Sequence, residues 1–472
     1  MSIVKLLLSS SRGLSLVMKI IARLGPSMKK HKYQLIAAQL GSLIDSGKYP
    51  PGSKLPAHRE LAKELQSTAV TVSKAYQLLA ELGKIESFVG RGSYVGNTSL
   101  NSVIQAQEDD TVLNFSILQP CLQQNIQALQ QQFTQQFSAL DNPQLFGYSE
   151  NTGLLEHRRA GAKWCAQYGL EVANADQLIL TNGAQNALAS IIALYSKEGD
   201  YIALEAQTYP GILAICKYMG RKVLPIAMDE QGMLPQALMQ QCKICKPRMV
   251  IVVPSQQNPT AATMGHARRE ALAKVIAEQD VWLVEDEIYA FLNTVKMPAI
   301  SNFVAEKSFY ISSLSKAISP GMRCGYLRVP ESQYSTLVDY IRATLWLPSP
   351  FMFEVASAMI DSGNAFRWAE QQKMIAAQRQ RLVTQYLSDY RLQRQRSSYS
   401  CWLHLPVNCQ AEGFCATAKK QRLLLSSASY FSSSGQAANA VRLSVMAIAE
   451  EDDFVCGLQQ LSKLLSSYAA QD

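Results

Sequence analysis

One lysine, placed among serines directly after an apolar run, constrains this chain more than any other feature. The segment FYISSLSKAISPGMR, residues 309–323, carries it as Lys316. An amine that attacks an aldehyde must be close to neutral, whereas a free lysine has a pKa of about 10.4, so the fold must bury this amine or place positive charge near it. Arg323 can supply that charge, and with the hydroxyls of Ser313 and Ser315 it can also bind a phosphate. The segment therefore predicts an anchor for a cofactor that carries both an aldehyde and a phosphate.

Two upstream segments have the pattern of short strands that end in polar groups. The segment LILTNGAQNAL, residues 178–188, predicts a strand, a glycine turn and the start of a helix. Backbone N–H groups at a helix start can bind phosphate, and here they belong to Gly183, Ala184 and Gln185. The segment VWLVEDEIY, residues 281–289, predicts a buried strand that ends in acidic residues.

In this order along the chain, the segments resemble a fold-type I aminotransferase from about residue 112 to the end. That resemblance implies an α/β fold, with a large domain on a mixed, mostly parallel sheet and a small α+β C-terminal domain. It implies pyridoxal phosphate (PLP) bound to Lys316 as a Schiff base. It also implies contacts to the cofactor ring: Tyr209 stacks on the pyridine, while Asn258 and Tyr289 contact the phenolic oxygen.

The same resemblance implies two charged contacts. Asp286 would pair with the pyridine nitrogen and keep the ring protonated, which makes the ring an electron sink. Arg442, in the segment NAVRLSV, lies where aminotransferases place the arginine that grips a substrate carboxylate in a bidentate fork. A domain that kept the fold and lost the cofactor is the alternative, and the intact lysine, aspartate and asparagine argue against it.

A homodimer also follows from the resemblance. The segment LFGYSENTGLLEHRR, residues 145–159, resembles the aminotransferase segment whose tyrosine reaches the phosphate bound by the partner subunit. Tyr148 would then complete the cofactor site of the other chain. Asn151 stands where the family usually has a proline.

Positive charge is concentrated at the beginning of the chain. The formal net charge is +8 at pH 7, yet residues 28–97 carry ten Lys or Arg against five Asp or Glu, and residues 1–27 carry four basic residues and no acidic one. The remainder of the chain is therefore nearly neutral. A basic segment of this kind attracts a polyanion such as DNA.

The basic segment has the helix pattern of a DNA-binding domain. Between residues 32 and 95, an apolar periodicity, a PPG break and the amphipathic stretches LPAHRELAKEL and TVSKAYQLLAELG predict three helices. The four residues QSTA, 66–69, follow the first of these stretches and suit the turn of a helix-turn-helix, and IESFVGRGSYV predicts two short strands around a Gly-Arg-Gly tip. The segment resembles the winged helix-turn-helix of GntR-type transcription regulators. A small helical dimerisation or lid domain is the alternative.

The GntR resemblance implies which side chains face DNA. They are Arg59, Thr68, Thr71, Lys74 and, at the tip of the wing, Arg91. Most of them would contact phosphate, which positions a protein without selecting a sequence. Ala69 and Ser73 stand where some relatives carry arginines, so base specificity does not follow from the sequence.

Together the two halves resemble the MocR subfamily of GntR regulators. The predicted organisation is an N-terminal extension at 1–27, a winged helix domain at 28–96, a linker at 97–111 and an aminotransferase class I/II-like domain at 112–472. The linker is polar and lacks apolar periodicity. A start codon assigned too far upstream explains the extension best, because a GntR domain normally begins near Met28. A basic arm that contacts DNA is the alternative.

Cysteine usage and hydropathy predict a cytoplasmic protein without membrane contact. Ten cysteines are scattered without the spacing of a disulfide framework, and neither an export signal nor an apolar run of transmembrane length is evident. Cys242 and Cys245 form a CxxC pair, but no second pair or neighbouring histidine completes a zinc set. We therefore expect no metal.

Two functional classes follow. In the first, the chain is a PLP-dependent, DNA-binding transcription regulator that senses PLP or an amino acid or amine effector held by Arg442. In the second, it is an active aminotransferase that acts on an amino acid and a 2-oxo acid, with Lys316 as general base. PLP alone as the signal is a third possibility. The winged helix favours a regulator, because a metabolic enzyme has no use for it.

Overall fold

The computed structural model describes residues 32–45, 48–49, 53–81, 84–88, 92–95, 112–138, 142–171 and 175–469. The chain divides into two compact units, Met1–Ser102 and Val103–Asp472. The predicted extension at 1–27 and linker at 97–111 lie outside the described residues. The domain limits inferred from the sequence stay predictions.

The first unit contains helices and a β-hairpin. Its described elements are α1 (Lys32–Asp45), α2 (His58–Glu64), α3 (Ala69–Glu81), β1 (Ile85–Phe88) and β2 (Gly92–Val95). The two strands pair antiparallel, with Ile85 opposite Val95. The predicted strands of the wing are confirmed, whereas the tip residues 89–91, which include Arg91, lie outside the described residues.

Helix α3 packs into this unit through one apolar face. Its buried residues recur at helical spacing and are at most 2% exposed: Val72, Ala75, Tyr76 and Leu79. Side chains from α1 and α2 complete the same core, among them Ile36, Leu40 and Leu61.

The turn before α3 lies one residue earlier than the sequence predicted. It comprises residues 65–68, because α2 ends at Glu64 and α3 begins at Ala69. The hydroxyl of Thr68 accepts a hydrogen bond from the backbone N–H of Thr71 at 3.2 Å. A side chain that caps the first turn in this way starts the helix at the following residue, which brings Ala69 into α3.

The second unit mixes helices and strands. Its described helices are α4 (Gln123–Ser138), α5 (Leu155–Gln167), α6 (Ala184–Tyr195), α7 (Pro210–Tyr218), α8 (Pro235–Cys245), α9 (His266–Gln279), α10 (Tyr334–Thr344), α11 (Pro350–Asp361), α12 (Asn364–Leu387), α13 (Ala411–Lys420) and α14 (Glu451–Ala469). Its described strands are β3 (Leu113–Asn114), β4 (Leu178–Asn182), β5 (Tyr201–Glu205), β6 (Lys222–Ile226), β7 (Met228–Asp229), β8 (Gly232–Met233), β9 (Met249–Val252), β10 (Trp282–Asp286), β11 (Ser308–Ser313), β12 (Cys324–Arg328), β13 (Leu392–Gln393), β14 (Ser400–His404), β15 (Leu423–Leu424), β16 (Ser426–Ser427) and β17 (Ala440–Ser444).

A seven-stranded sheet forms the centre of this unit, counted over the described residues. Its strand order is β4-β12-β11-β10-β9-β5-β6. Only β12 runs against its neighbours, being antiparallel to β11 and to β4, and the other pairs are parallel. The predicted mixed, mostly parallel sheet is therefore confirmed. The carboxyl ends of the parallel strands and the beginning of β12 share one edge, where open α/β sheets bind ligands.

Helices cover both faces of the sheet. In β9, Met249 and Ile251 pack with apolar residues of α6, α7 and α10, whereas Val250 and Val252 pack with those of α8 and α9. This alternation has the period of two expected of a strand. Burial on both faces explains why the strands are continuous apolar runs in the sequence.

The small C-terminal part has its own antiparallel sheet. Its strand order is β13-β14-β17-β16, and its apolar face packs against residues of α12, α13 and α14. β3, the first strand of the unit, pairs parallel with β15. This arrangement matches the predicted small α+β domain. Among the described helices, none has the length and apolar character that crossing a membrane requires.

Candidate functional site

The predicted cofactor residues lie along one edge of the central sheet. β4 ends just before Gly183, β10 ends at Asp286, and β11 ends three residues before Lys316. β12 begins just after Arg323, and because it is antiparallel to β4, its first residue pairs with the last residue of β4. The reversed strand thus brings Arg323 to the same edge as the other three.

Glycine at position 183 lets an arginine lie against the start of α6. Gly183 has a φ of 79°, and a Cβ there would come within 2.4 Å of Nη2 of Arg323. That guanidinium donates to the carbonyl of Asn182 at 3.1 Å. The N–H of Gly183 donates to the carbonyl of Thr181 at 2.7 Å and is therefore already used. Of the three predicted N–H donors, those of Ala184 and Gln185 lie in the first turn of α6. An arginine beside a helix start is a favourable place for an anion.

The two predicted serines are buried and bonded to each other. The hydroxyl of Ser313 donates to Oγ of Ser315 at 2.7 Å and accepts from the backbone N–H of Ser315 at 3.0 Å. Ser313 ends β11, and Ser315 directly precedes Lys316. Their phosphate-binding role stays a prediction.

The amine of Lys316 lies in an environment that favours its neutral form. Nζ donates to the carbonyl oxygen of Leu118 at 2.6 Å. Burial is the largest cause that lowers the pKa of Lys316, to about 8, and the positive charges of Arg442 and Arg323 act in the same direction while Asp286 opposes them. Burial and neighbouring positive charge are the two causes that the sequence argument required for a reactive lysine.

Asp286 is a buried carboxyl at the end of β10. It is 2% exposed, and it accepts a hydrogen bond from the backbone N–H of Ile288 at 3.3 Å. Burial raises the pKa of Asp286 to about 7, and Glu287 raises it further, whereas Lys316 lowers it. A cationic group placed beside this carboxyl would restore its ionised form.

Two tyrosines lie within the electrostatic influence of Asp286. Tyr209 immediately precedes α7, and its ring lies against Gly211, where a Cβ would come within 2.3 Å of the ring. The buried ring of Tyr289 has its centroid 6.3 Å from that of Tyr399. Burial raises the pKa of both Tyr209 and Tyr289, and the charge of Asp286 raises each further. The electrostatic effect requires all three groups to be close.

Arg442 on β17 is held in place by groups from three other segments. Its Nη1 donates to Oδ1 of Asn258 at 2.8 Å, and its Nη2 donates to the carbonyl of Ser116 and to Oγ of Ser426. The guanidinium carbon lies 4.7 Å from the ring centroid of Phe431. Burial lowers the pKa of Arg442 to about 10, so it keeps its charge at neutral pH.

Tyr148 lies apart from this cluster. It is 89% exposed, and its ring centroid lies 5.6 Å from that of Trp346. Asn151 donates to the carbonyl of Trp346 at 2.6 Å and accepts from Arg342 at 2.7 Å. An exposed tyrosine is available to another subunit, and its action there stays a prediction.

The side chains predicted to face DNA lie on the first unit. Arg59 on α2, Lys74 on α3 and Thr68 in the turn are exposed, and Thr71 is half-buried. The hydroxyls of Thr68 and Thr71 are 2.8 Å apart and hydrogen-bonded to each other. Arg91, the last residue of this predicted set, lies outside the described residues.

Two family models match the chain in the order in which the motifs occur. Residues 32–95 match the model described as bacterial regulatory proteins, gntR family. Residues 110–452 match the model described as aminotransferase class I and II, which covers well over half of the chain. The chain belongs to the class I and II aminotransferase family. Its aminotransferase domain follows a GntR-type DNA-binding domain, as the resemblance to MocR regulators predicted.

Relatives of this aminotransferase-like protein include both regulators and an enzyme. An uncharacterised HTH-type transcriptional regulator of Bacillus subtilis, YdeF, is 27% identical over 447 residues, which are 93% of this chain and 96% of that protein. The HTH-type pyridoxine biosynthesis transcriptional regulator PdxR of Corynebacterium glutamicum is 25% identical over 75% of this chain and 78% of its own length. The 2-aminoadipate transaminase of Thermus thermophilus is 23% identical over 68% and 82%.

Solved aminotransferase structures share the fold of the second unit. The α-aminoadipate aminotransferase LysN of Thermus thermophilus, complexed with N-(5'-phosphopyridoxyl)-L-leucine, has a TM-score of 0.70 at 20% identity and covers 78% of this chain and 97% of its own. A multiple substrate aminotransferase of Thermococcus profundus has a TM-score of 0.72 at 18% identity, with 80% and 97% covered. The predicted fold-type I architecture is confirmed.

Some groups that contact Lys316 and Arg442 could not be predicted from any sequence motif. The carbonyls of Ser116 and Leu118 accept hydrogen bonds from Arg442 and Lys316. Backbone carbonyls carry no signal in a sequence, so only the structure could reveal them. Phe431 lies in the serine-rich stretch 426–435, whose composition suggests a solvated turn or a mobile loop over the ligand site. The structure instead buries this side chain fully, beneath Arg442.

The CxxC pair lies away from the aminotransferase site, at the end of α8. Cys242 is buried and Cys245 half-buried, and both are free thiols. Burial raises the pKa of Cys242 to about 11, which disfavours its reactive thiolate form. Within the described ranges, no group of three or more His, Cys, Asp or Glu side chains is placed to hold a metal ion.

Proposed function

We propose that this protein is a MocR-type transcription regulator that binds operator DNA through its GntR domain and PLP through its aminotransferase domain, with an amino acid or amine as effector. One observation carries the proposal: a winged helix precedes an aminotransferase site in which lysine, aspartate and arginine are all present. The regulators similar to it over most of the chain support this reading. A cytoplasmic location follows from DNA binding.

The residues at the sheet edge fit the phosphate of PLP. Only a glycine at position 183 allows the guanidinium of Arg323 to lie so close to the start of α6. A full positive charge then lies beside the first turn of α6, where the backbone N–H groups of Ala184 and Gln185 would add two donors, and this combination suits a phosphate dianion. Gln185 contributes a further polar group, and its buried Oε1 has no hydrogen-bond partner among the described residues.

The residues further along the edge fit the ring of PLP. Asp286 would hold a proton on the pyridine nitrogen, and the pairing would bring the pKa of its carboxyl down from about 7. Tyr209 would stack on the ring, and Asn258 and Tyr289 would donate to its phenolic oxygen. When bound, PLP supplies an aldehyde that bonds an amine and a ring that withdraws electrons.

Lys316 is suited to hold PLP because its amine is partly neutral near physiological pH. The hydroxyl of Tyr399 donates to the backbone carbonyl of Lys316 at 2.9 Å, which fixes the backbone that carries the amine. The carbonyl of Leu118 accepts a proton of Nζ and orients it. Anchoring and orientation are thus supplied by residues from three separate segments.

Arg442 is suited to hold the carboxylate of an effector. Its Nε is buried and has no hydrogen-bond partner among the described residues, and the aromatic ring of Phe431 beneath it excludes water from one side. In such a place of low dielectric constant, a carboxylate forms strong charge-assisted hydrogen bonds with a guanidinium. The effector must bind two conformations of the protein with different affinity to change DNA binding.

An active aminotransferase is the second candidate. It is favoured by the amine of Lys316, which is neutral enough to accept a proton from a substrate carbon as general base. A relative named as a 2-aminoadipate transaminase supports it. A regulator that senses PLP itself needs no effector carboxylate, and PdxR is named for pyridoxine biosynthesis.

The visible absorption spectrum of the full-length protein with PLP separates these candidates. A panel of amino acids and amines is added while absorbance and 2-oxo acid release are followed. The regulator is supported by a band that shifts and persists without 2-oxo acid, and the aminotransferase by repeated turnover. A band that no amine shifts points to PLP as the signal. Lys316→Ala should abolish the band, whereas Lys217→Ala, at an exposed lysine of the same domain, should keep it.

We also propose a homodimer in which Tyr148 acts on the partner's PLP. Mixed dimers of Lys316→Ala and Tyr148→Phe chains test this arrangement. If Tyr148 acts between subunits, each mixed dimer has one intact site and binds one PLP with native affinity. If it acts within its own chain, every site in the mixed dimer carries one defect, and no site has native affinity.

A further inference from the structure

Helix α3 has one stripe of solvent-exposed side chains. The stripe consists of Val70, Ser73, Lys74 and Gln77, which are all exposed. Their spacing of i, i+3, i+4 and i+7 places them on a single face of the helix. The buried residues of α3 lie on the opposite face. The exposed stripe is therefore the face that α3 presents to solvent.

Val70 is the unusual member of this stripe. It is 68% exposed, and no other large hydrophobic side chain is exposed among the described residues of the first unit. A single exposed valine on a globular surface needs no explanation. This one lies in the first turn of the second helix of a helix-turn-helix, where side chains reach base edges in the major groove.

The neighbouring hydroxyls are occupied in holding the helix start. Oγ1 of Thr68 accepts from the backbone N–H of Thr71 at 3.2 Å and is hydrogen-bonded to its hydroxyl at 2.8 Å. Ala69 brings no polar group. The first turn of α3 therefore presents two exposed methyl groups, on Val70, between hydroxyls that already have partners.

We propose that Val70 reads thymine by packing against its 5-methyl group in the major groove. Valine has no hydrogen-bond donor or acceptor in its side chain, so it cannot read the polar edge of a base. The thymine methyl is the apolar group that the major groove offers, and apolar side chains recognise it. The inference rests on the proposed binding of DNA by the GntR domain and adds which base one residue selects.

The shape of valine suits such a contact. A β-branched side chain on a helix has one strongly preferred rotamer, so little side-chain freedom is lost on binding. Lys74, one turn further along the same stripe, is exposed and positively charged, and it would contact phosphate. Lys74 would then position the helix on the DNA backbone, and Val70 on the same helix face would select the base.

The test uses the full-length protein and duplexes selected from a pool with a randomised core. Each thymine of the selected sequence is replaced in turn by uracil, which lacks only the 5-methyl group. We expect one thymine in each half-site at which uracil weakens binding by about fourfold, the effect of one buried methyl group. Val70→Ala should bind thymine and uracil equally at that position, and Val70→Thr, which keeps one methyl group, should retain part of the preference.

Ser73→Ala is the matched control, because Ser73 lies on the same stripe, and it should keep the preference for thymine at that position. Val70→Ala should leave the melting temperature unchanged, since the side chain is exposed. The inference is overturned if Val70→Ala still distinguishes thymine from uracil at every position, or if no position distinguishes them. In both cases the full chain still binds duplexes. Absence of all duplex binding would instead overturn the DNA-binding role as well.

Discussion

Replacement of Arg442 by glutamine should raise the pKa of Lys316 and slow the capture of PLP at neutral pH. Burial lowers that pKa to about 8, and the charge of Arg442 is the second cause. With a pKa of about 8, roughly a tenth of the amine is neutral at pH 7, against about one part in 2,500 for a free lysine. The native protein should therefore capture PLP on the order of two hundred times faster than an unperturbed lysine would allow.

The assay is the rate of PLP capture by cofactor-free protein, followed by stopped-flow absorbance between pH 6.5 and 10. The native rate should reach half its maximum near pH 8. Arg442→Gln should move this midpoint upward, because a positive charge is removed. Asp286→Asn should move it downward, because Asp286 is a charge that raises the pKa of Lys316. Opposite shifts from two substitutions separate electrostatics from general damage.

Two further variants control the experiment. Arg442→Lys keeps the charge, so the midpoint should stay near pH 8, while the affinity for a carboxylate effector falls because the bidentate fork is lost. Arg381→Gln removes an exposed arginine and should change neither. A native midpoint near pH 10, or a midpoint that Arg442→Gln leaves in place, would refute the electrostatic account of Lys316.

Three other predictions concern separate parts of the chain. Gly183→Ala combines a φ of 79° with a clash against Arg323, whereas Gly199→Ala has a φ of 85° and no atom within 4 Å of its Cβ. Backbone strain should lower the free energy of unfolding of both variants by about 1–2 kcal/mol, measured as a lower melting temperature, but only the first should also weaken PLP binding in a titration. Burial raises the pKa of Glu205 to about 8, so between about pH 4.5 and pH 8 the unfolded chain has lost the carboxyl proton that the folded chain keeps, and stability falls as pH rises. Glu205→Gln should make the melting temperature depend less on pH over that range. An unchanged slope of melting temperature against pH would contradict the raised pKa. Lys74→Ala should weaken binding to all duplexes alike and reduce the slope of log K against log salt by about one, as measured by fluorescence anisotropy at several salt concentrations.

The residues that sequence could predict are those whose side chains carry the chemistry. Lys316 and Asp286 follow apolar runs that only a buried strand explains, and the ends of parallel strands meet at one edge of a sheet. Arg442 depended on family resemblance, because nothing in its local pattern distinguishes it from a structural arginine. The position of Arg323 at the same sheet edge depends on a reversed strand, a feature of topology that the local sequence does not encode.

Other contributions could not be predicted because they arise from long-range packing. The carbonyls of Ser116 and Leu118 have no side-chain chemistry, and their partners are 326 and 198 residues away in the chain. Phe431 lies in a serine-rich segment whose composition suggests an exposed loop, but the adjacent sheet buries it. The shift of the turn before α3 follows from the hydrogen bond by which Thr68 caps the helix, and the sequence does not show which of several hydroxyls makes such a bond.

The two carbonyls that hold Arg442 and Lys316 have a consequence for communication along the chain. Ser116 and Leu118 belong to the first described residues that follow the predicted linker at 97–111. A path from the amine of Lys316 to the end of the predicted linker therefore needs one hydrogen bond and seven peptide bonds, and it does not pass through the rest of the domain. A bond from Nζ of Lys316 to PLP would leave this nitrogen fewer protons to donate, which would weaken or remove its hydrogen bond to the carbonyl of Leu118. We expect hydrogen exchange of residues 113–118 to respond to cofactor and effector before that of any element of the central sheet.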